Sequence, residues 1–358
     1  MNIYYSSLYY LNDFSSGANK RLDEIGKRLL KEHTNNFKCI ITFNNRPIWC
    51  PIENCIFIKE YSNKFQRMVS WLELSFKLAR LPKGIFVNDF MPIPFFSYRH
   101  YHFQTIYDLR NFDGFGRGGL GFLTESFQKR QLASADKVIT ISEFTSKAIQ
   151  NYCSIKESDI IVSYCGIDDK KIEYQNNERD IDILYVATFE KRKNHINLIK
   201  AIELCEGSLN ITFVGSDNGL KDEIVNLASK LESKGHNIIF LEQISEKTLC
   251  EMYSRAKVFC FPSFYEGFGM PLIEAYQLGC NVVCSDIDVF KEITLNKAIY
   301  FDPNSPKDIS DKLRSSLKLN SCDDSIREEI INFYSWDHIF KSFNSTIMDS
   351  ISKKSKNL

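Results

Sequence analysis

The sequence predicts an α/β protein of two domains, each a parallel sheet with crossover helices in the Rossmann-like manner. Three observations lead there. At 358 residues the chain is longer than the roughly 250–300 residues at which a single hydrophobic core stops growing. Short β-branched and aromatic runs alternate with segments of helical periodicity, the order that βαβ units produce. A polar, unpatterned stretch at residues 168–180 (DDKKIEYQNNERD) interrupts the alternation, and a fresh strand signal follows it.

The first domain is expected at residues 1–168, with strands at 2–5, 37–42, 84–88, 103–107, 137–141 and 159–163. Ala18, Leu22, Ile25 and Leu29 recur at helical spacing, and Ser142 is placed to cap a helix running through Tyr152. The second domain is expected at residues 180–334, with strands at 182–187, 209–214, 237–241, 257–261 and 281–284, each followed by a helical segment. A last helix at residues 336–352, carrying Trp336, Ile339 and Phe340, is expected to cross back onto the first domain. Two open parallel sheets facing each other leave a central cleft outside the carboxyl ends of their strands. Functional residues should therefore follow strands.

Composition narrows the class. Hydrophobic residues make up 44% of the chain and charged residues 25%, an ordinary globular mixture that argues against disorder. The formal charge is zero, yet residues 1–170 hold 22 basic against 17 acidic side chains, +5, which leaves −5 for the remainder. There is no basic stripe of the kind nucleic acid requires; the excess in the first half suits peripheral contact with an anionic membrane surface or a phosphorylated lipid. Eleven cysteines show no CxxC and no Cys/His cluster at zinc spacing, so the expectation is free thiols in a reducing cytosol with no metal site. The N-terminus lacks a cationic region followed by an apolar core, and no apolar window of about 18 residues occurs. A cytoplasmic protein that neither spans nor crosses a membrane is expected.

Four segments carry chemistry. The most informative is FPSFYEGFGMPLIEAYQLG at residues 261–279, which follows an expected strand. Pro271 suits the first turn of a helix and Gly279 its end. Gly267, Phe268, Gly269 and Met270 then form a turn into a helix start, whose unpaired backbone N–H groups and dipole can hold a phosphate or polarise a sugar hydroxyl. Glu266 precedes the turn and Glu274 lies in the helix beyond it; carboxylates accept paired hydrogen bonds from sugar or ribose hydroxyls. Read alone, the same residues also describe a tight turn flanked by a solvated acid and one that complements a helix dipole.

In the second segment, residues 183–202, Arg192 and Lys193 stand just before a helix that Asn194 is placed to cap. Cations beside the positive end of a helix are poorly placed for stability, and a bound diphosphate would relieve the conflict, although a solvated basic loop fits as well. In the third, Gly17 follows Ser15 and Ser16 between the first strand and its helix, where it permits close approach to a ligand or serves a plain turn. In the fourth, Tyr107 and Asp108 end a strand and lead into a loop with five glycines, either a lid or a simple connection. The two Asp-x-Asp strings, at 180–182 and 286–288, read as surface turns.

Taken together the segments resemble glycosyltransferase family 4, retaining enzymes with the two-Rossmann glycosyltransferase-B (GT-B) architecture. The resemblance spans most of the chain. It rests on Ser16-Gly17, the stretch SADKVITISEFTSKAI at 134–149, EKRKN at 190–194, Phe213-Val214-Gly215, the Glu266 to Glu274 element, and Trp336. It implies a nucleotide-diphosphate sugar as co-substrate, no cofactor, and a glycan acceptor, lipid-linked, in surface polysaccharide or lipopolysaccharide synthesis. Arg192 and Lys193 would hold the donor diphosphate and Glu274 the ribose. Glu266 would hold the donor sugar together with the backbone of Gly267, Phe268, Gly269 and Met270. Gly17 would sit near the diphosphate from the other domain, with Gly215 and Ile244 bordering the base. One departure stands out: the family commonly has His-Asp where this chain has Tyr107-Asp108, and that histidine touches the donor sugar. A phenol, with its pKa near 10, cannot take a proton at neutral pH as imidazole does. The resemblance thus implies Glu266, Tyr107, Asp108 and Lys193 around the reacting centre of a metal-independent hexosyltransferase. Two other readings stay open: a catalytically weakened scaffold that binds nucleotide sugar, and a nucleotide-sugar epimerase.

Overall fold

A computed structural model describes residues 1–8, 17–59, 64–89, 93–109, 129–167, 178–319 and 321–356. The glycine-rich stretch at 110–128, Ser15, Ser16 and most of the polar stretch after Ile167 lie outside them. The chain divides into two compact units, Met1–Gly166 with Trp336–Leu358, and Ile167–Ser335.

Unit 1 is built on a seven-stranded sheet of β1 (Asn2–Ser6), β2 (Phe37–Thr42), β3 (Cys55–Ile58), β4 (Gly84–Asn88), β5 (Tyr101–Ile106), β6 (Lys137–Thr140) and β7 (Ile160–Val162). The order is β3-β2-β1-β4-β5-β6-β7 and every pairing is parallel. All five residues of β4 are buried, as expected of a strand covered on both faces. Helix α1 (Gly17–Glu32) buries Leu22, Ile25 and Leu29, the stripe its periodicity predicts. Helix α2 (Lys64–Arg80) buries Leu74 and Leu78 against Tyr4, Ile40 and Phe86 of the sheet. Ser142 caps α3 (Glu143–Cys153), its hydroxyl accepting a hydrogen bond from the Thr145 N–H.

Unit 2 has a six-stranded parallel sheet of β8 (Ile181–Val186), β9 (Asn210–Val214), β10 (Asn237–Leu241), β11 (Ala256–Phe261), β12 (Asn281–Ser285) and β13 (Ile299–Phe301). Its order, β10-β9-β8-β11-β12-β13, repeats that of unit 1. Each sheet reverses its winding once, between β1 and β4 in unit 1 and between β8 and β11 in unit 2. Such switch points are where the loops at the carboxyl ends of strands part and leave room for a ligand.

The last helix, α11 (Trp336–Lys356), belongs to unit 1. Trp336, Ile339, Phe340, Phe343, Ile347 and Ile351 are all buried, spaced as one face of a helix. Polar contacts fix it to α1: Arg28 pairs with Asp337 at 2.9 Å, and Asn344 donates to Glu32 at 3.1 Å.

Two strands were not anticipated from sequence. β3 and β13 are short edge strands of four and three residues, only partly buried, and so lack the long apolar run that marks an interior strand. Elsewhere the expected strands lie within about two residues of those observed, the ordinary scatter of element ends.

Candidate functional site

The loops after β8 and β11, the two strands at the unit 2 switch point, hold Arg192, Lys193 and Glu266 together. Residues Lys191–Lys193 form a single 3-10 turn ahead of α4 (His195–Glu203). Arg192 Nη1 donates to Glu266 Oε2 at 2.8 Å and to the Tyr265 carbonyl at 2.7 Å, while Nη2 reaches Glu190 Oε1 at 2.6 Å. Lys193 Nζ donates to Glu266 Oε1 at 2.5 Å and lies over the Phe261 ring. Side chains of the three residues are only 10–13% exposed.

This geometry answers the conflict seen in the sequence, but with a side chain of the protein. Two cations before a helix start are tolerated because Glu266 bridges them and Glu190 takes the second guanidinium nitrogen. Burial alone would raise the Glu266 carboxyl; the charges of Lys193 and Arg192 outweigh it and hold it below its ordinary range. Arg192 is pushed the other way, up, because Glu266 and Glu190 overcome its own desolvation. Lys193 is drawn down by burial, with the Arg192 charge acting in the same sense against Glu266.

Backbone contacts weld the two loops. The Phe264 N–H donates to the Arg192 carbonyl at 2.9 Å, and the Tyr185 hydroxyl to the Lys193 carbonyl at 2.5 Å. Asn194 does not cap α4 with its side chain, correcting the expectation. Its backbone is left-handed, and its amide donates to the carbonyls of Pro262 at 2.9 Å and Pro303 at 2.8 Å. The residue therefore fastens the Lys193 loop to its neighbours, since a φ of 58° leaves the side chain pointing away from its own helix.

Gly267, Phe268 and Gly269 are buried, and Gly269 has φ 110°, a conformation that side chains resist. It precedes α7 (Met270–Gln277), with Pro271 in the first turn as expected. Phe268 packs edge-on against Tyr334. Glu274, half-buried on α7, accepts a hydrogen bond from the Tyr253 hydroxyl at 3.2 Å. It thus has its own support, apart from the bonds that hold Glu266. Gly215 follows β9, where a Cβ would collide with the Ala187 carbonyl at the end of β8. Ile244 is partly buried in the turn after β10.

The remaining expected residues lie in unit 1. Gly17 is the first residue of α1. Tyr107 and Asp108 follow β5, and the Tyr107 hydroxyl is buried beside Arg21 and Asp89. Arg21, 1% exposed, lies 3.7 Å from Asp89 and donates to Ser163 at 3.2 Å; Tyr5 donates to Asp89 at 2.8 Å. Burial, reinforced by Asp89, lifts the Tyr107 phenol well above its ordinary range, so it holds its proton. This network of Tyr5, Arg21, Asp89 and Tyr107 at the strand ends was missed from sequence. The only local sign was an acid directly after the apolar run of β4. Glu190 and Tyr253 were likewise missed; the first was signalled by an acid two residues before a basic pair, the second by nothing local.

The Asp-x-Asp strings are occupied by structural pairs. Asp180 pairs with Arg255, Asp182 with Lys257 and Asp286 with Lys291, each within 2.8 Å. No group of three or more His, Cys, Asp or Glu side chains among the described residues is arranged to hold a metal ion. All eleven cysteines are free thiols.

Comparison with known proteins agrees with this architecture. Residues 166–333 match the family described as Glycosyl transferases group 1, and residues 69–171 match Glycosyltransferase Family 4. The serotype-specific mannosyltransferase WbdA of Escherichia coli is 35% identical over 156 residues, 43% of this chain and 19% of WbdA. The O-antigen chain mannosyltransferase RfbU of Salmonella typhimurium is 30% identical over 207 residues, 57% of each chain. The chain thus matches between a fifth and three fifths of the length of these relatives. The crystal structure of a glycosyltransferase from Rickettsia africae superposes with a TM-score of 0.71 over 98% of both chains at 16% identity, a likeness of fold. One glycosyltransferase family model thus covers the second sheet and another reaches back into the first, on the two-sheet fold that solved glycosyltransferase structures share.

Proposed function

We propose that the protein moves a sugar from a nucleotide-diphosphate sugar to a hydroxyl of a lipid-linked glycan acceptor in surface polysaccharide synthesis, with retention of anomeric configuration. The observation that carries this reading is the meeting of Arg192, Lys193 and Glu266 after the two strands of the unit 2 switch point. Two buried cations beside helix starts suit a diphosphate. The mannosyltransferase relatives, RfbU among them an O-antigen chain enzyme, favour a hexose of the mannose class and a polysaccharide product.

In this reading Arg192 and Lys193 stabilise the negative charge that grows on the departing diphosphate, a role for positioned charge in a dry site. Glu266 keeps both cations aimed before the donor arrives and accepts hydroxyls of the donor sugar through its remaining lone pairs. Glu274, held by Tyr253, takes the ribose. Gly267, Phe268, Gly269 and Met270 offer backbone N–H groups to the sugar, and Gly215 and Ile244 flank the base. Within unit 1, Gly17 stands at a helix start and Asp108 at a strand end, each suited to a substrate hydroxyl, and Tyr107 supplies shape and no proton transfer. The acceptor hydroxyl loses its proton to the leaving phosphate, so the scheme needs no protein nucleophile, cofactor or metal. The chemistry belongs at the cytoplasmic face of a membrane, where lipid-linked acceptors are built.

Transfer assays with a donor panel, paired with thermal shifts by nucleotide diphosphates, test the reading. Lys193→Ala and Glu266→Ala should each raise the barrier by about 2–4 kcal/mol, and Lys193→Ala should also shrink the nucleotide shift. Full transfer by both folded variants at subsaturating donor would remove these residues from the mechanism. Tyr107 in the family's histidine position favours one alternative, a scaffold that binds nucleotide sugar without turning it over. Nucleotide binding with neither transfer nor donor hydrolysis across the panel would establish it.

A further inference from the structure

Helix α2 is apolar on two opposite faces, and only one of them is buried. Ser70, Leu74 and Leu78 face the sheet at 0–2% exposure. Met68, Val69, Leu72 and Phe76 fall within an arc of about 100° on the other side. Met68 is 48% and Phe76 55% exposed, although each lies in a regular helix that has a core to pack against. An isolated exposed apolar side chain needs no explanation; a continuous stripe does.

The stripe extends onto the segment between β4 and β5. That segment is pinned to α2, with Trp71 Nε1 donating to the Ile93 carbonyl at 3.1 Å and the Phe95 N–H to Ser75 Oγ at 3.1 Å. It brings Phe95 onto Trp71 at 4.2 Å between ring centroids and Phe96 to 6.1 Å from Phe76, with Tyr98 beyond. Phe95 and Tyr98 are 57% and 69% exposed. The aromatic group is fixed in place yet left open to solvent.

Its rim is positive. Arg80 at the end of α2, Lys83 just after it and Arg99 next to Tyr98 in the chain are exposed, while the acid of α2, Glu73, is half-buried, paired with Lys77 at 2.8 Å and accepting the Lys59 N–H. Unit 1 as a whole holds 25 basic against 17 acidic residues, a net +8, and unit 2 carries −8. Aromatic side chains ringed by cations match a bilayer interface with anionic headgroups. A second copy of the chain fits less well, because a twofold contact would set the three cations against themselves.

We propose that the exposed face of α2, together with Phe95, Tyr98 and the rim of Arg80, Lys83 and Arg99, seats unit 1 on an anionic lipid bilayer. The assignment rests on the reading of a lipid-linked acceptor and names the surface that brings the protein to it. Vesicle flotation tests it on the full chain, using phosphatidylcholine alone and an equal mixture with phosphatidylglycerol. Two variants are compared with wild type, one carrying Phe76→Ser, Phe95→Ser and Tyr98→Ser, the other Arg80→Gln, Lys83→Gln and Arg99→Gln.

Wild type should float with the mixed vesicles and much less with neutral ones. The charge variant should lose roughly a hundredfold in partitioning, about fivefold per cation, and the aromatic variant should lose stable association altogether. Absence of wild-type flotation overturns the proposal, as does equal binding to both vesicle types or binding that the aromatic variant retains. Dimerisation of wild type that the aromatic variant abolishes would overturn it too, giving the face to a second copy. Nucleotide-diphosphate thermal shifts on the same three proteins report folding and donor binding separately. A missing shift in wild type defeats the transferase reading while flotation still decides the surface.

Discussion

Single residues act here through their partners. Glu266 is the clearest case: one carboxylate satisfies two cations that a helix start would otherwise repel. Removing it leaves Lys193 buried without its carboxylate and Arg192 with Glu190 alone, so loss of activity must be read against stability, which breaking a buried pair lowers by roughly 3–5 kcal/mol. Tyr107 shows the same dependence in unit 1. Its hydroxyl lies beside Arg21 and Asp89, where a histidine ring would be too short to put a polar atom in the same place. Tyr107→Phe should lower stability by about 1–2 kcal/mol, and Tyr107→His by more, since it strips the buried pair of its neighbour and shifts the ring. Denaturant titrations of the two variants check the order; a stabilised histidine variant would refute this account of the network. The sequence displayed Arg192, Lys193 and Glu266 as candidates, and it could not display that they neutralise one another across 73 residues of chain.

At the scale of elements, strand ends and helix starts place these residues. β8 and β11 are neighbours in the sheet, so the loops that follow them must meet. Helix α7 carries Glu274 near its middle, and its far end is held by cations: Arg179 donates to the Leu278 carbonyl at 3.0 Å and Arg327 to the Gln277 carbonyl at 2.9 Å. Both charges suit the negative end of the helix. Gly215 shows how little slack remains between strands. Gly215→Ala would drive its methyl into the Ala187 carbonyl, a backbone atom that cannot swing aside. The expected result is separation of the β8 and β9 ends, a stability loss of about 1–3 kcal/mol and weaker nucleotide binding. An alanine variant with unchanged melting and nucleotide shift would contradict it. Interior strands were legible because both faces are buried, leaving unbroken apolar runs, and the edge strands β7 and β10 kept enough of such a run to be read; β3 and β13, short and half wet, left no such mark.

Across the whole molecule, each unit encloses a histidine kept neutral by burial. Desolvation brings His102 in unit 1 to about 4 and His195 in unit 2 to about 3, from 6.5 when unfolded. His195 sits among Tyr185, Phe189 and Phe213, with the Lys193 charge adding to the depression. The unfolded chain therefore binds more protons in this window, and stability present above pH 6.5 is lost as pH falls toward 4. Each histidine should cost roughly 2 kcal/mol between pH 7 and pH 5. Urea midpoints across that range measure it, and His195→Phe should flatten the slope for unit 2; an unchanged slope would show that the ring is protonated in the fold.

By itself the sequence determined two parallel α/β sheets and most of their strands, because burial and turn chemistry write themselves locally. It determined the residue types of the candidate site for the same reason: cations and carboxylates after strands are visible one segment at a time. Tertiary structure alone decided the partners, namely Glu266 between Arg192 and Lys193, Tyr253 under Glu274, Asn194 clasping two proline carbonyls, and Tyr107 turned onto a buried arginine. Those choices depend on which strands lie side by side, and strand order is set by the packing of the whole sheet.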